Sequence, residues 1–218
     1  MGRLGNSVAA ILIAAGAGSG LAAAQTAIPD FRQVSWGASQ AQVMASEPAK
    51  PTSISKNRGE VLLQYDSVPV SGLNNEVVYL FAKDQLVRAK LLFSADHDEL
   101  NDFIRDYKTV EPWLTEHYGK PKREQALWQD DSTQLEPKSY LDQDRATPSS
   151  ILPSDPLVGL AVALGQLRLY TRWETARSEI VHALTGQDHQ VTHQIEYRSL
   201  TLQALEDQVR KQSIAPAP

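Results

Sequence analysis

The sequence predicts an α+β fold in which antiparallel meander sheets carry helices packed on one face. Strand-like runs alternate apolar and polar residues between Val61 and Phe93 and again between Leu157 and Tyr197. Between them, Leu100, Phe103, Ile104, Tyr107, Val110 and Leu114 recur at i, i+3, i+4, i+7, i+10 and i+14, the spacing of one buried helix face. The rhythm is helix, meander, long helix, meander, helix. It reads as a single domain over 25–212 with two halves of similar rhythm, 31–95 and 96–212, that share no residue-by-residue repeat.

At the start, one basic residue, Arg3, precedes the apolar run Val8 to Ala15 and the triplet Ala22-Ala23-Ala24. A basic region, a short apolar core and small residues at a cleavage point are the marks of a secretory signal peptide, here residues 1–24. The apolar run is too short to span a bilayer as a helix.

Phe31, Val34 and Trp36 alternate as a half-buried strand would, and Gly37 permits a sharp turn. Ser39-Gln40-Ala41-Gln42 is a capping box that opens a short helix, which Pro48 ends. Strands follow at Val61–Tyr65, Val68–Val70, Val77–Phe81 and Leu86–Phe93, with a tight connection at Lys83-Asp84-Gln85. Asp96-His97-Asp98-Glu99 reads as a second capping box, opening the long helix. Pro112 should kink or restart that helix, Gly119 suits the position just past its end, and Pro121 blocks its continuation.

After a strand through Leu127-Trp128-Gln129, residues 130–156 are proline-rich, polar and without period, and read as a long loop. Such a loop is either disordered or functional, and in the functional reading Asp130, Asp131, Glu136, Tyr140, Asp142, Asp144 and Arg145 are the candidate binding surface for a ligand or partner. Leu157 to Gly165 alternates large with small residues and reads as a buried strand, with a helix as the alternative. Leu167–Trp173, Glu179–Thr185 and Gln190–Tyr197 continue the strands, Thr201–Lys211 closes as an amphipathic helix, and 213–218 is a frayed tail.

The chain has 218 residues, a formal charge of −5 and no cysteine. Disulfides, thiol nucleophiles and thiolate metal sites are therefore excluded. Acids and bases are interspersed, so no basic stripe exists to bind nucleic acid. No stretch after the leader is apolar enough for a transmembrane segment. The compartment expected is periplasmic or secreted.

No phosphate-cradling glycine loop, nucleophile elbow or H-E-x-x-H pair is present. Asp142-Gln143-Asp144 begins like a calcium loop, but Ala146 and Thr147 stand where a ligand and a glycine are required. The only metal candidates are His182 and His193. A four-residue hairpin loop at Gly186–His189 would set them directly opposite each other, yet two imidazoles are not a site. No cofactor is expected.

The stretches Trp36-Gly37-Ala38-Ser39 to Val43, YLFAKDQLVRAKLLF, DFIRDYKTVEPWLTEHYGKP and AVALGQLRLYTRWETARSEIVHALTG with HQIEY resemble a set of small secreted bacterial proteins of unknown function. That resemblance implies a fold and a compartment, and it carries over no catalytic residue. The W-G-x-S-x-x-x-V opening is also similar to the start of the small lipoprotein of the outer-membrane barrel assembly machinery. This chain departs from it in length and in lacking a lipidated cysteine.

With no recognisable nucleophile, base or metal set, the expectation is an exported envelope-associated binding protein that contacts an envelope protein or cell-wall component. A hydrolase with a dispersed active site is the alternative, since catalytic groups need not be adjacent in sequence. A small-molecule carrier would instead show an apolar pocket between the long helix and the sheet.

Overall fold

The computed structural model describes residues 28–66, 69–129 and 147–214. The leader at 1–24, Val68 and the candidate loop residues Asp130, Asp131, Glu136, Tyr140, Asp142, Asp144 and Arg145 lie outside the described residues.

Eight strands form one antiparallel sheet in the order β1-β2-β3-β4-β8-β7-β6-β5. Strands β1 (Ser53–Asn57), β2 (Glu60–Asp66), β3 (Asn75–Ala82) and β4 (Gln85–Phe93) make one meander. Strands β5 (Arg123–Trp128), β6 (Leu167–Glu174), β7 (Ser178–Gln187) and β8 (Gln190–Ser199) make the other. The two join where β4 pairs with β8, Ala89 opposite Tyr197 and Leu91 opposite Ile195. The sheet stays open, with β1 and β5 as its edges.

Tight turns set the register of the hairpins. Arg58-Gly59, Lys83-Asp84 and Asp188-His189 all take positive φ, the backbone twist that two-residue hairpin loops need. Edge strand β1 was not foreseen. All five of its residues are exposed, so no apolar alternation announces it, and Lys56 in its middle blunts the free edge.

The inner face is covered by the N-terminal segment, by α1 (Gln40–Ser46) and by α2 (Asp102–Tyr118). Phe31, Val34, Trp36 and Val43 pack with Tyr65, Tyr79, Phe81 and Tyr197 in one core. Helix α2 buries Phe103, Ile104, Tyr107, Val110 and Leu114, the stripe its period demanded. Burying each such side chain is worth about 1.5–3 kcal/mol. The Ser39 capping box forms as expected, Oγ accepting from the Gln42 amide and Gln42 Oε1 accepting from the Ser39 amide. Gly119 closes α2 at φ 76, its N–H donating to the Thr115 carbonyl. Pro112 sits inside the helix, which runs on through it.

Several local expectations are corrected. Residues 31–34 form a tight turn bridging Phe31 and Val34 rather than a strand, with Arg32 at φ 50, although all three expected side chains are buried. The Asp96 capping box does not form. His97 Nε2 instead meets Asp106 Oδ2 at 2.7 Å, and α2 begins after Asn101. The Asn101 side chain makes no cap because it is used at long range, donating to the Pro153 and Asp155 carbonyls and accepting from the Gly159 amide.

Leu157 to Gly165 is not a strand. Val158–Ala163 is a short helix, α3. Its small residues serve close approach rather than a two-residue period: a Cβ on Gly159 would lie 2.3 Å from the Leu100 carbonyl carbon. Residues 147–156 belong to the packed fold, with a 3-10 turn at Pro148–Ser150 and Ile151 fully buried.

Helix α4 (Gln203–Ile214) runs through Ser213 and Ile214, where a frayed tail was expected, and it departs from the single-face arrangement. It packs Val209 against Ala82 and Val87, beside Leu80. Its Glu206 bonds Arg88 and Arg198, which alternate along β4 and β8 with the inward Ala89 and Tyr197. The carboxylate thus draws α4 to the outer face. Elsewhere that face carries ion pairs such as Lys90–Glu196 at 2.9 Å and Arg172–Glu179 at 2.7 Å.

Candidate functional site

Two features beneath the inner cover are unlike ordinary core. The first is a polar row. The ladder places Leu91, Ile195, His182, Thr171 and Glu124 side by side across β4, β8, β7, β6 and β5, so an apolar row turns polar halfway across the sheet. Helix α2 lies over it. Tyr107 stacks on the His182 ring with centroids 3.9 Å apart and planes 6° apart. The Tyr107 hydroxyl meets Thr171 Oγ1 at 2.9 Å, and Thr171 Oγ1 donates to Glu111 Oε1 at 2.7 Å. Burial raises the pKa of Glu111 first, with Glu124 adding to it, against the lowering effects of Thr171 and Lys108. A cleft of about 340 Å³ opens beside it, lined by Lys108, Glu111, Thr171 and Glu124 among others.

His182 and His193 do meet, though not through the register expected. The loop at the β7–β8 turn has two residues, not four, so Ile195 stands opposite His182 and Leu184 opposite His193. A register change of two residues keeps both rings on one face. They bond diagonally, Nε2 to Nε2 at 2.8 Å. Both are buried, and His193 also stacks on Phe93 at 4.2 Å. Burial holds both rings in the neutral state: His193 is pushed down to about 3, with His97 adding to the shift. His182 is pushed well below its ordinary value, with His193 adding. In a neutral pair one Nε2 donates and the other accepts, so the accepting ring carries its proton on Nδ1. Neither Nδ1 has a hydrogen-bond partner among the described residues. No group of three or more His, Asp or Glu that could hold a metal occurs among the described residues.

The second feature is an aromatic cleft of about 540 Å³ at the other end of α2. Its floor is Leu91 and Tyr197 of the sheet. Trp113, His117 and Tyr118 of α2 form one wall, Ile28 to Arg32 the other, and Pro69 with Val70 the rim. Phe31 packs on Tyr197 with centroids 4.7 Å apart, and Tyr118 meets the same ring edge-on at 6.1 Å. The polar groups of the N-terminal wall are already engaged. Arg32 holds Glu47 through two bonds of 3.0 and 3.1 Å, and Asp30 accepts from Arg177 at 3.0 Å and from the Trp36 amide at 2.9 Å. Glu47 also takes the Tyr79 hydroxyl bond. These contacts fasten the wall, leaving the cleft itself mainly apolar.

The chain matches no family model, no curated protein and no solved structure. What the cleft can hold is set by its lining. At about 540 Å³ the cleft falls within the roughly 300–1,000 Å³ range of small-ligand pockets, and it offers mainly aromatic faces for contact. An apolar pocket between the long helix and the sheet was expected for a small-molecule carrier, but none of its residues was named, because they come from 28–32, 69–70, α2, β4 and β8, and each part has an ordinary local explanation. Only the aromatic cluster Trp113, His117 and Tyr118 at the end of the long helix, off its buried stripe, could have signalled it.

Proposed function

We propose that the chain is an exported, envelope-associated binding protein that seats an apolar group of its ligand in the cleft between residues 28–32 and the end of α2. The aromatic cleft of about 540 Å³ supports this reading, since its lining is mainly apolar and aromatic and offers area and shape complementarity. The leader sequence supports export.

The cleft can be probed with N-phenyl-1-naphthylamine, an uncharged fluorophore, using its emission and the quenching of Trp113. Saturable binding is expected, with affinity reduced about tenfold or more by Trp113→Ala, the range seen when an aromatic contact at the centre of an interface is truncated. Unaltered probe binding in that variant would show that the probe does not bind in the cleft. Crosslinked envelope fractions should yield a partner that the probe displaces. Turnover of ester, phosphate, glycan or peptide substrates, abolished by Glu111→Gln, would instead establish the hydrolase alternative at the polar row.

A further inference from the structure

We infer that the His182–His193 pair is an acid-operated latch on α2, and that its opening dismantles the aromatic cleft and releases what is bound there. The inference rests on the cleft reading above for its consequence, while the latch itself rests on the geometry of the pair.

The two rings share a single hydrogen bond of 2.8 Å and are enclosed by aromatic faces. Tyr107 of α2 covers His182, and Phe93 of β4 covers His193. Charge on either ring would be buried, and an N–H added at Nδ1 would have no acceptor beside it among the described residues. The groups facing the pair do not relieve this. Asp106 of α2 is held by His97 from the preceding loop at 2.7 Å. Glu111 of α2 takes the Thr171 proton, and burial favours its neutral form. Lys108 of α2 adds positive charge to that side of the helix and donates to the Pro148 carbonyl. Glu124 lies beyond Thr171 on β5, and α3 presents only apolar residues, Val158, Ala161 and Val162.

The protonated pair is therefore relieved by admitting water, and the cover to be lifted is Tyr107. Tyr107 lies on the same uninterrupted helix as Trp113 and Tyr118. Displacement of the helix carries the cleft wall with it. Two titrating rings make the response steep, because each favours the hydrated state separately.

The test uses the mature full-length chain without ligand. Amide exchange protection is measured at pH 7 and pH 5, with N-phenyl-1-naphthylamine affinity followed in parallel. For a group with an ordinary pKa near 6.5 in the open state, opening should rise about 25-fold per histidine over that interval, and several hundredfold for both. The expected result is loss of protection across α2 with β2 and β3 retained, a parallel fall in probe affinity, and a flat response in the His182→Leu plus His193→Leu double variant. Unchanged α2 protection at pH 5, equal loss in every element, or full pH dependence in the double variant would overturn the latch. Should the double variant fail to fold, the pattern of protection in the unaltered chain still decides between these outcomes. Loss of α2 protection without any probe binding at pH 7 would overturn the cleft reading alone.

Discussion

Trp36 Nε1 donates to Ser178 Oγ at 2.9 Å, joining two buried residues separated by 142 positions. The bond ties the N-terminal turn to the start of β7, across the junction between the two meanders. It also accounts for the buried Trp-Gly corner at 36–37: Gly37 N–H donates to the Leu86 carbonyl, Leu86 N–H to Ala38, and the indole is left aimed across the core. Ser178→Ala should cost about 1–3 kcal/mol in denaturant unfolding, because it leaves the indole N–H buried and unpaired. Trp36→Phe plus Ser178→Ala should lose less than the sum of the single changes.

Gly159 sits in a helix, where alanine ordinarily gains about 1 kcal/mol. Here the added Cβ would meet the Leu100 carbonyl oxygen at 2.4 Å and the Asn101 amide nitrogen at 2.5 Å, both backbone atoms. Gly159→Ala should therefore destabilise by about 3 kcal/mol, the upper range for overpacking, as read from thermal or urea unfolding. A neutral or stabilising outcome would mean α3 is not pressed against the start of α2.

Acid should destabilise the protein through the histidine pair. In the unfolded chain both rings take up protons near pH 6.5, while in the fold His193 does so only at about 3 and His182 well below its ordinary value. Their contribution is fully present above pH 6.5 and is lost as pH falls toward 3, with a slope of about 1.4 kcal/mol per pH unit for each histidine. Glu111 acts in the opposite sense. Its pKa is raised in the fold, chiefly by burial, so its contribution is full in acid and is lost as pH rises through its folded value. Urea midpoints at pH 7, 6 and 5 should fall, and the fall should shrink when both histidines are replaced.

Glu206 is 2 % exposed and serves two arginines, Arg88 and Arg198, the latter at 2.9 Å. Glu206→Ala should cost about 2–3 kcal/mol, below the value for a fully buried pair because both guanidinium groups keep some contact with water. Exchange protection in α4 should fall before that of the sheet. An intact α4 would place its anchoring in Val209 and Leu205 alone.

Local chemistry made much of the framework readable before any tertiary contact was known. Ser39 with Gln42, the α2 stripe from Phe103 to Leu114, Gly119 at φ 76 and the alternation along β3 and β4 are short-range patterns, and each formed where its period or capping rule placed it. Leu157 to Gly165 misled because small residues at alternate positions satisfy a strand pattern and also permit a helix to press on a neighbour. Asp96 misled because a capping side chain can find a better use: its neighbour His97 reaches Asp106. Strand β1 gave no signal, since an edge exposed at every position has no buried face to advertise.

Amino-acid order by itself determined the α+β class, the existence of the long helix and of the central strands, and the lack of disulfides, because periodicity and turn preference act over a few residues. Only the tertiary structure decided that β4 pairs with β8, that two histidines offset in the ladder touch, and that five separate stretches enclose one aromatic cleft. Those outcomes depend on which distant surfaces exclude water from each other, and that choice is made by the whole chain as it packs.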